Sequence, residues 1–478
     1  MLSPLATIWT LCLLAVELVG IATAFTVIMR ARTSQGAIAW IVALIAFPLL
    51  ALPLYWVFGR NRFNGYVETL NSAIQEHRPL VADAREALQP HHGVFDRHQH
   101  QTEYALDRLT ARQFTHNNKL KLLIDGEATF EAIFKAIDNA QSYILIEFFI
   151  IKHDKLGIRL QQKLIAKAKE NIRVYVLYDE LGSVKLSSEY IADLRAAGVE
   201  VSAFGASQGR RNRFQVNFRN HRKIVIVDGT VGFVGGLNVG DQYLDKTTKF
   251  GRWRDTFLRF EGPAVQGTQA VFTEDWYWAT RSLPKLNWIP SPSKKKDAFV
   301  LPLDTGPANE IEACTLLFHE LISSATDTLW IASPYFVPDE GLVAALQLAA
   351  VRGVDVRIML PANPDHVLVW LASFSYLEQM ESAGVKMFRY HGGFLHQKVA
   401  LVDDHLAVVG TANLDNRSMR LNFELSMVVS DHDFASKVRT MLETDFADCV
   451  EVNGCDYTCR NLPFRIAVRA ARLLAPIL

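Results

Sequence analysis

The chain has 478 residues, with 50 Lys and Arg against 50 Asp and Glu, and half of its residues are hydrophobic. That length exceeds one ordinary domain and suits two or three. A protein that lives on phosphate-backbone contacts carries a basic excess, so zero net charge argues against a broad nucleic-acid role, and the apolar share points to contact with lipid.

Pro4 to Ile28 is an apolar run broken only by Glu17, and Gly36 to Phe58 is a second with no charged residue. Each exceeds the roughly 20 residues a helix needs to cross a bilayer core. Trp40, Tyr55 and Trp56 stand toward the ends of the second run, where aromatic belts form, and Pro48 and Pro53 would bend it. With only Met29 to Gln35 between the runs, residues 1–60 read as a transmembrane hairpin (spans about 4–28 and 36–58) with both outer ends on one side. The first run is too long for a signal peptide and lacks a basic start and a cleavage site. Arg30 and Arg32 in the loop balance Arg60 and Arg62 after the second span, so charge bias leaves the orientation open. Glu17 reads as a protonated or neighbour-facing carboxylate. Residues 61–118 turn polar and helical, with breaks at Pro79, Pro90, His91 and His92, and read as a linker without chemistry.

From Leu120 onward the sequence repeats itself. The first copy reads as a helix over Phe130–Ala140, an apolar strand over Tyr143–Ile151, a helix over Leu156–Lys169 and a strand over Ile172–Tyr178. The second begins near Asn309, with a helix to about Ser324, a strand over Thr328–Val337, a helix over Leu342–Val351 and a strand over Val354–Leu360. Apolar strands alternating with amphipathic helices predict an α/β layer structure with a largely buried sheet, in two halves over residues 119–300 and 301–450.

Each copy then carries the same constellation. Asn220-His221-Arg222-Lys223 leads through Ile-Val-Ile-Val to Asp228-Gly229, followed by Gly235-Gly236-Leu237-Asn238. In the second copy His396-Gln397-Lys398 leads through Val-Ala-Leu-Val to Asp403, followed by Gly410-Thr411-Ala412-Asn413. The two histidines are 175 positions apart, and every later spacing in the pattern is the same. Lys223–Val227 and Lys398–Val402 read as strands, so each His and its Lys project to one face about 7 Å apart, and both can reach one phosphate. Asp228 and Asp403 fall at odd spacing, in hairpin turns, and read as structural. The glycines would bring backbone close to the ligand, and Asn238 and Asn413 would each offer an amide donor.

These residues resemble the phospholipase D superfamily, whose members carry two such His-Lys-Asp motifs, and within it the bacterial cardiolipin synthases. The resemblance extends to Gly240-Asp241-Gln242-Tyr243-Leu244, Trp253-Arg254-Asp255-Thr256, Glu261-Gly262-Pro263-Ala264-Val265, the Gly393-Phe394-Leu395 lead-in and the run from Asn416 to Glu424. It covers nearly the whole chain. It implies two similar α/β/α halves about a pseudo-twofold axis with one active site between them, and a catalytic part facing the cytoplasm from a bacterial inner membrane. It counts His221, Lys223, Asp228, His396, Lys398 and Asp403 as catalytic, with His221 as nucleophile and His396 as acid and base. Asn238 and Asn413 become phosphate ligands, and Asp255 and Glu424 the carboxylates that orient the rings. Phosphatidylglycerol and cardiolipin are the expected ligands. No cofactor or metal is expected, because no dense carboxylate cluster is visible and the lysines supply the positive charge. The motifs alone leave open a hydrolytic phospholipase D, a transferase using phosphatidylethanolamine as donor, a nuclease, an inactive membrane scaffold, and the oligomeric state.

In the tail, residues 451–478, Phe464–Leu474 places Arg465, Arg469 and Arg472 on one helical face, as in a basic amphipathic helix lying on an anionic membrane surface; an ordinary docking helix is the alternative. The five cysteines, Cys12, Cys314, Cys449, Cys455 and Cys459, are odd in number, and the cluster Cys449, Cys455 and Cys459 lacks a fourth ligand for zinc, so free thiols are expected, with a metal or a redox bridge in that cluster as the alternative.

Overall fold

Apolar strands that alternate with one-sided helices can bury themselves only in layers, and the computed structural model builds those layers twice. It describes residues 4–205, 207, 212, 215–244, 251–294 and 296–477. They fall into two units, residues 1–67 with 205–218 and residues 68–204 with 219–478.

In the first unit α1 (Pro4–Arg30) is long and apolar enough to cross a membrane. The second apolar run departs from the single bent span expected. It divides into α2 (Ser34–Ala46) and α3 (Pro48–Phe58), of 13 and 11 residues, each shorter than a span. The break is at Phe47, which leaves the helical region (φ −138°, ψ 56°). Pro48 has no N–H to offer and crowds the residue before it out of the helix. Ala24, Val27, Leu44, Ala51 and Leu52 pack together. Gly20 permits this approach, since a Cβ there would stand 2.7 Å from the Leu44 carbonyl oxygen. Glu17 is exposed.

α4 (Asn64–Glu76) begins in the first unit and ends in the second, which continues with α5 (Arg78–Leu88) and α6 (Gln101–Leu106). The first half then runs β1 (Thr115–Ile124), α7 (Asp125–Asp138), β2 (Tyr143–Phe148), α8 (Lys155–Lys169), β3 (Arg173–Asp179), α9 (Ser188–Ala196), β4 (Glu200–Phe204), β5 (Arg219–Asn220), β6 (Ile224–Val227), β7 (Val231–Gly235), β8 (Trp253–Arg254), β9 (Thr256–Glu261) and α10 (Ala264–Thr280). The second half runs β10 (Ala298–Thr305), α11 (Ala313–Ser324), β11 (Thr328–Ala332), β12 (Phe336–Val337), α12 (Glu340–Val351), β13 (Asp355–Pro361), α13 (Val367–Phe374), α14 (Leu377–Ser382) and β14 (Lys386–Tyr390). It ends with β15 (Phe394–Leu395), β16 (Val399–Val402), β17 (Leu406–Gly410), β18 (Leu414–Asp415), α15 (Asn416–Arg420), β19 (Asn422–Ser430), α16 (His432–Ala447), β20 (Cys449–Val452), α17 (Cys455–Thr458) and α18 (Leu462–Leu473).

The strand order is β4-β3-β2-β6-β7-β9-β1 in the first half and β20-β14-β13-β11-β16-β17-β19-β10 in the second. The pairings match one for one from β3-β2-β6-β7-β9 to β13-β11-β16-β17-β19, which makes the halves pseudo-twofold copies. β1 and β10 pair antiparallel, Thr115 opposite Val300, and fuse the two sheets. The central strands β2, β6 and β16 are buried at every residue, as strands covered on both faces must be. Phe130, Phe134, Leu160 and Leu164 pack on Ile144, Ile146, Val174 and Val176 in one half. Leu317, Leu321, Leu342 and Leu346 pack on Leu329, Ile331, Val356 and Ile358 in the other.

Two further expectations change. The end of the supposed linker docks: Leu106 and Phe114 are fully buried in the second core, and Glu103 accepts from Ser430 Oγ at 2.8 Å. Cys455 and Cys459, read as free, form a disulfide. Four positions apart across α17, they share one helical face. Cys449 stays free.

Candidate active site

Each motif histidine is held in register by the backbone of the other half. β5 pairs parallel with β19, Asn220 opposite Phe423, and the His221 amide donates to the Phe423 carbonyl at 2.9 Å. β15 pairs parallel with β8, Leu395 opposite Arg254, and the His396 amide donates to the Arg254 carbonyl at 2.8 Å. The residue after each accepting carbonyl is an acid, so each acid comes to lie beside the opposite half's histidine. Glu424 reaches His221 Nδ1 at 2.9 and 3.0 Å, and Asp255 reaches His396 Nδ1 at 2.7 Å. The sequence singles out both acids, but not this crossing. An ionised carboxylate only accepts, so Nδ1 carries the proton and Nε2 is left as the acceptor nitrogen.

The strands β6 and β16 begin one residue after the lysines, so His221–Lys223 and His396–Lys398 are extended lead-ins. Lys223 Nζ donates to the His221 carbonyl at 2.5 Å. Lys398 Nζ donates to the His396 carbonyl at 2.6 Å and stands 3.1 Å from both nitrogens of its ring. The two rings keep 12% and 10% side-chain exposure while Glu424 and Asp255 keep none. Burial pushes His221 down to about 4 against the pull of Glu424, and Lys223 and Lys398 add to the push. Burial, then the charges of Lys398, Lys223 and His221, hold His396 well below the ordinary histidine value. Burial lowers Lys223 to about 7, with Lys398 adding to it against Glu424, and burial lowers Lys398 to about 8. Each pair feels the charge of the other. Burial lifts Asp255 to about 6. Burial also works on Glu424, but His221 and Lys223 outweigh it and the carboxyl ends below its usual range. Neutral imidazoles, each with a lysine two residues on, suit nucleophilic displacement at an anion.

The asparagines sit just beyond the hairpins. Asn238 Oδ1 accepts from the Ile150 amide at 3.0 Å and its Nδ2 lies 3.3 Å from the Tyr243 hydroxyl. The Asn413 amide donates to Ser418 Oγ at 3.0 Å. The glycines make room for protein and not for ligand: a Cβ on Gly236 would stand 2.1 Å from Asp255 Oδ1. Asp228 and Asp403, counted in the motifs, face away from the rings. Asp228 accepts from the amides of Gln141, Ser142 and Tyr143 at 2.7–3.0 Å. Asp403 accepts from those of Thr326, Asp327 and Thr328, at 2.8 Å for the last two. They cap the starts of β2 and β11 from the turn of the neighbouring hairpin.

Several neighbours have no role assigned from the sequence, although Tyr243, Trp253, Arg254, Thr411 and Ser418 stand in the runs that carry the resemblance. Phe149 meets the His221 ring edge-on at 5.1 Å, and Trp253 lies 5.0 Å from His396 and 4.8 Å from Tyr243. Tyr335 donates to Asp365 at 2.6 Å, and the Asp365 charge acts on His396 and Lys398. Arg222 bonds Asp275 at 2.6 Å and the Glu424 carbonyl at 3.1 Å. Arg254 bonds Asp445 through two contacts of 2.6 Å, and Gln397 donates to Asp445 at 2.9 Å. Thr411 and Ser418 donate to Glu424 at 2.5 and 2.8 Å. The only early signal for Arg222 and Gln397 was their place between His and Lys.

A family model described as the phospholipase D-like domain of cardiolipin synthase matches residues 133–276 and 318–446, and one described as a phospholipase D-nuclease N-terminal region matches residues 18–60. The chain is 47% identical to cardiolipin synthase A of Pseudomonas putida (strain W619) over 97% of each chain. It is 46% identical to cardiolipin synthase A of Pseudomonas aeruginosa (strain LESB58), over 98% of this chain and 96% of that one. In fold it is similar to the crystal structure of phosphatidylserine synthase from Haemophilus influenzae Rd KW20, with a TM-score of 0.60 and 15% identity, covering 79% of this chain and 100% of that one.

Proposed function

The chain belongs to the cardiolipin synthase family of phospholipase D-like proteins, and from that premise we propose that it joins two phosphatidylglycerol molecules into cardiolipin and glycerol through a phosphohistidine. The crossed pairing of two neutral histidines with acids from opposite halves, beside two buried lysines, carries the reading.

His221 Nε2 attacks the phosphorus of the first lipid. The bond from phosphorus to the glycerol headgroup oxygen breaks, and His396 protonates the departing oxygen. The phosphate anion supports that proton by opposing the lysine charges that otherwise depress His396. A hydroxyl of the second phosphatidylglycerol then gives its proton to His396 and attacks phosphorus. The phosphorus–nitrogen bond breaks, releasing cardiolipin and free His221. The partner ring thus serves first as acid and then as base. Lys223, Lys398, Asn238 and Asn413 hold the non-bridging oxygens, and Glu424 and Asp255 fix the tautomers and stabilise the imidazolium forms. The apolar N-terminus lies in the bacterial inner membrane as a hairpin, α1 forming one span and the consecutive α2 and α3 together the other, with the catalytic halves on the cytoplasmic side. A single long apolar helix supports the membrane part of that reading.

The test is to incubate purified protein with labelled phosphatidylglycerol and resolve the products. Cardiolipin with free glycerol supports transfer. Phosphatidic acid alone means that water takes the place of the second lipid, and label that is incorporated only when phosphatidylethanolamine is added means a different donor. His221→Ala is expected to abolish both turnover and trapping of a phosphoenzyme; substantial activity in that variant overturns the assignment.

A further inference from the structure

α18 divides its apolar residues between two faces. Val468 and Ala471 are buried, Phe464 meets Trp370 and Phe374 edge-on at 6.2 and 5.3 Å, and Ala471 packs with Val369 and Ala372 of α13. This is the inner face. At 3.6 residues per turn, Leu462, Ile466 and Leu473 fall within about 40° of one another on the opposite side. They are 66, 59 and 82% exposed. Arg465, Arg469 and Arg472 form the flank of this stripe. Arg469 Nε donates to the Tyr457 hydroxyl at 2.8 Å, and the Arg472 guanidinium lies 4.5 Å over the Tyr376 ring. Residues 460–478 contain four arginines and no acid.

The exposed stripe is tied to the catalytic loops. Asn416 Nδ2 donates to the carbonyls of Val337 and Ala475, both at 3.0 Å, so the end of α18 is fastened to β12 and to the segment that carries Asn413. Tyr335, the partner of Asp365, packs with Val369 and Ala471. At the start of α13 Val367 and Leu368 are 58 and 48% exposed, directly after Asp365 and His366.

We propose that the paired α13 and α18 form an interfacial seat for an anionic phospholipid bilayer. Leu462, Ile466, Leu473, Val367 and Leu368 enter the acyl boundary, and the arginines stand at headgroup level. The seat rests on the reading that the substrates are bilayer lipids, and it deepens that reading by naming where they enter: at the His396 side, past Tyr335 and Asp365. The chemistry selects the partner. An apolar stripe beside cations, with no acid on the helix, complements an anionic lipid surface, and α1 already ties the chain to a membrane.

Full-length protein with Cys12→Ser, Cys449→Ser and Leu473→Cys is labelled at position 473 with a fluorophore and reconstituted in phosphatidylglycerol vesicles bearing brominated acyl chains. The label is expected to be quenched by bromine, and a label at Glu170→Cys is not. Ile466→Glu with Leu473→Glu is expected to lower cardiolipin formation in vesicles by about tenfold while turnover of short-chain phosphatidylglycerol in micelles stays within about twofold. A label at 473 untouched by bromine, or quenched only by a second labelled copy, overturns the proposal, as does a double variant with unchanged vesicle turnover. If the double variant fails in both assays, the bromine result alone decides. If unaltered protein makes no cardiolipin in either assay, the proposed reaction falls while the quenching still reads the seat.

Discussion

Beside His221 stands a glutamate and beside His396 an aspartate, and the residue facing each acid explains its length. Gly236 leaves space for Asp255 to sit against the backbone, whereas Thr411, at the matching position, occupies that space and donates to the longer Glu424 at 2.5 Å. Glu424→Gln and Asp255→Asn keep the shape and lose the charge that selects the tautomer. Each is expected to lower kcat by about 10²–10⁴-fold. Rapid-quench kinetics should find the phosphoenzyme missing in the first variant, and slow departure of glycerol in the second. The pH dependence of kcat/KM follows from the same groups. Asp255 works ionised, so activity rises as pH passes about 6; Lys223 and Lys398 work protonated, so it falls above about 7 to about 8. Asp255→Asn should remove the acid limb and leave the alkaline one. His221, His396 and the lysines were legible in the sequence because an identical spacing occurs twice. Which acid serves which ring was not, since the crossing depends on strand pairs only two residues long, too short to leave a periodicity.

The hairpins show how an element is fastened by one side chain. Asp228 and Asp403 take left-handed φ values of 55° and 50°, and each turns its carboxylate onto three consecutive amides at the start of the neighbouring strand. Asp403→Ala strands those donors and is expected to cost about 1–3 kcal/mol, read as a lowered denaturation midpoint. Transfer activity measured well below that midpoint should persist, because the rings do not touch Asp403. The odd spacing of these residues from the histidines made their structural role readable in advance. The strands and helices of both copies were legible for the same reason as the motifs: long, strongly periodic runs declare themselves. The interruption at Phe47 was not, because proline is tolerated in membrane helices as a bend, and the sequence does not say which proline bends and which breaks. The docking of Leu106 and Phe114 was also missed, since two apolar residues in a polar stretch carry no period.

At the scale of the whole molecule the two halves are joined by buried charge as well as by sheet. Arg254, 1% exposed, reaches from the first half to Asp445 of the second, 7% exposed. Asp445→Ala leaves a buried guanidinium without its main partner, and such a loss costs about 3–5 kcal/mol. Chemical denaturation should report it. Turnover should fall as well, because Arg254 precedes Asp255 in the chain. The repeat foretold two like halves, but not that neither is chemically whole. A polypeptide of half this length, bearing one motif, would hold a ring with no acid at its Nδ1 until a twin arrived, and its activity would fade on dilution as the twins parted. Here the complement travels on the same chain, at an effective concentration set by the fold and not by the solution. Specific activity is therefore expected to hold constant as the enzyme is diluted in a fixed excess of lipid.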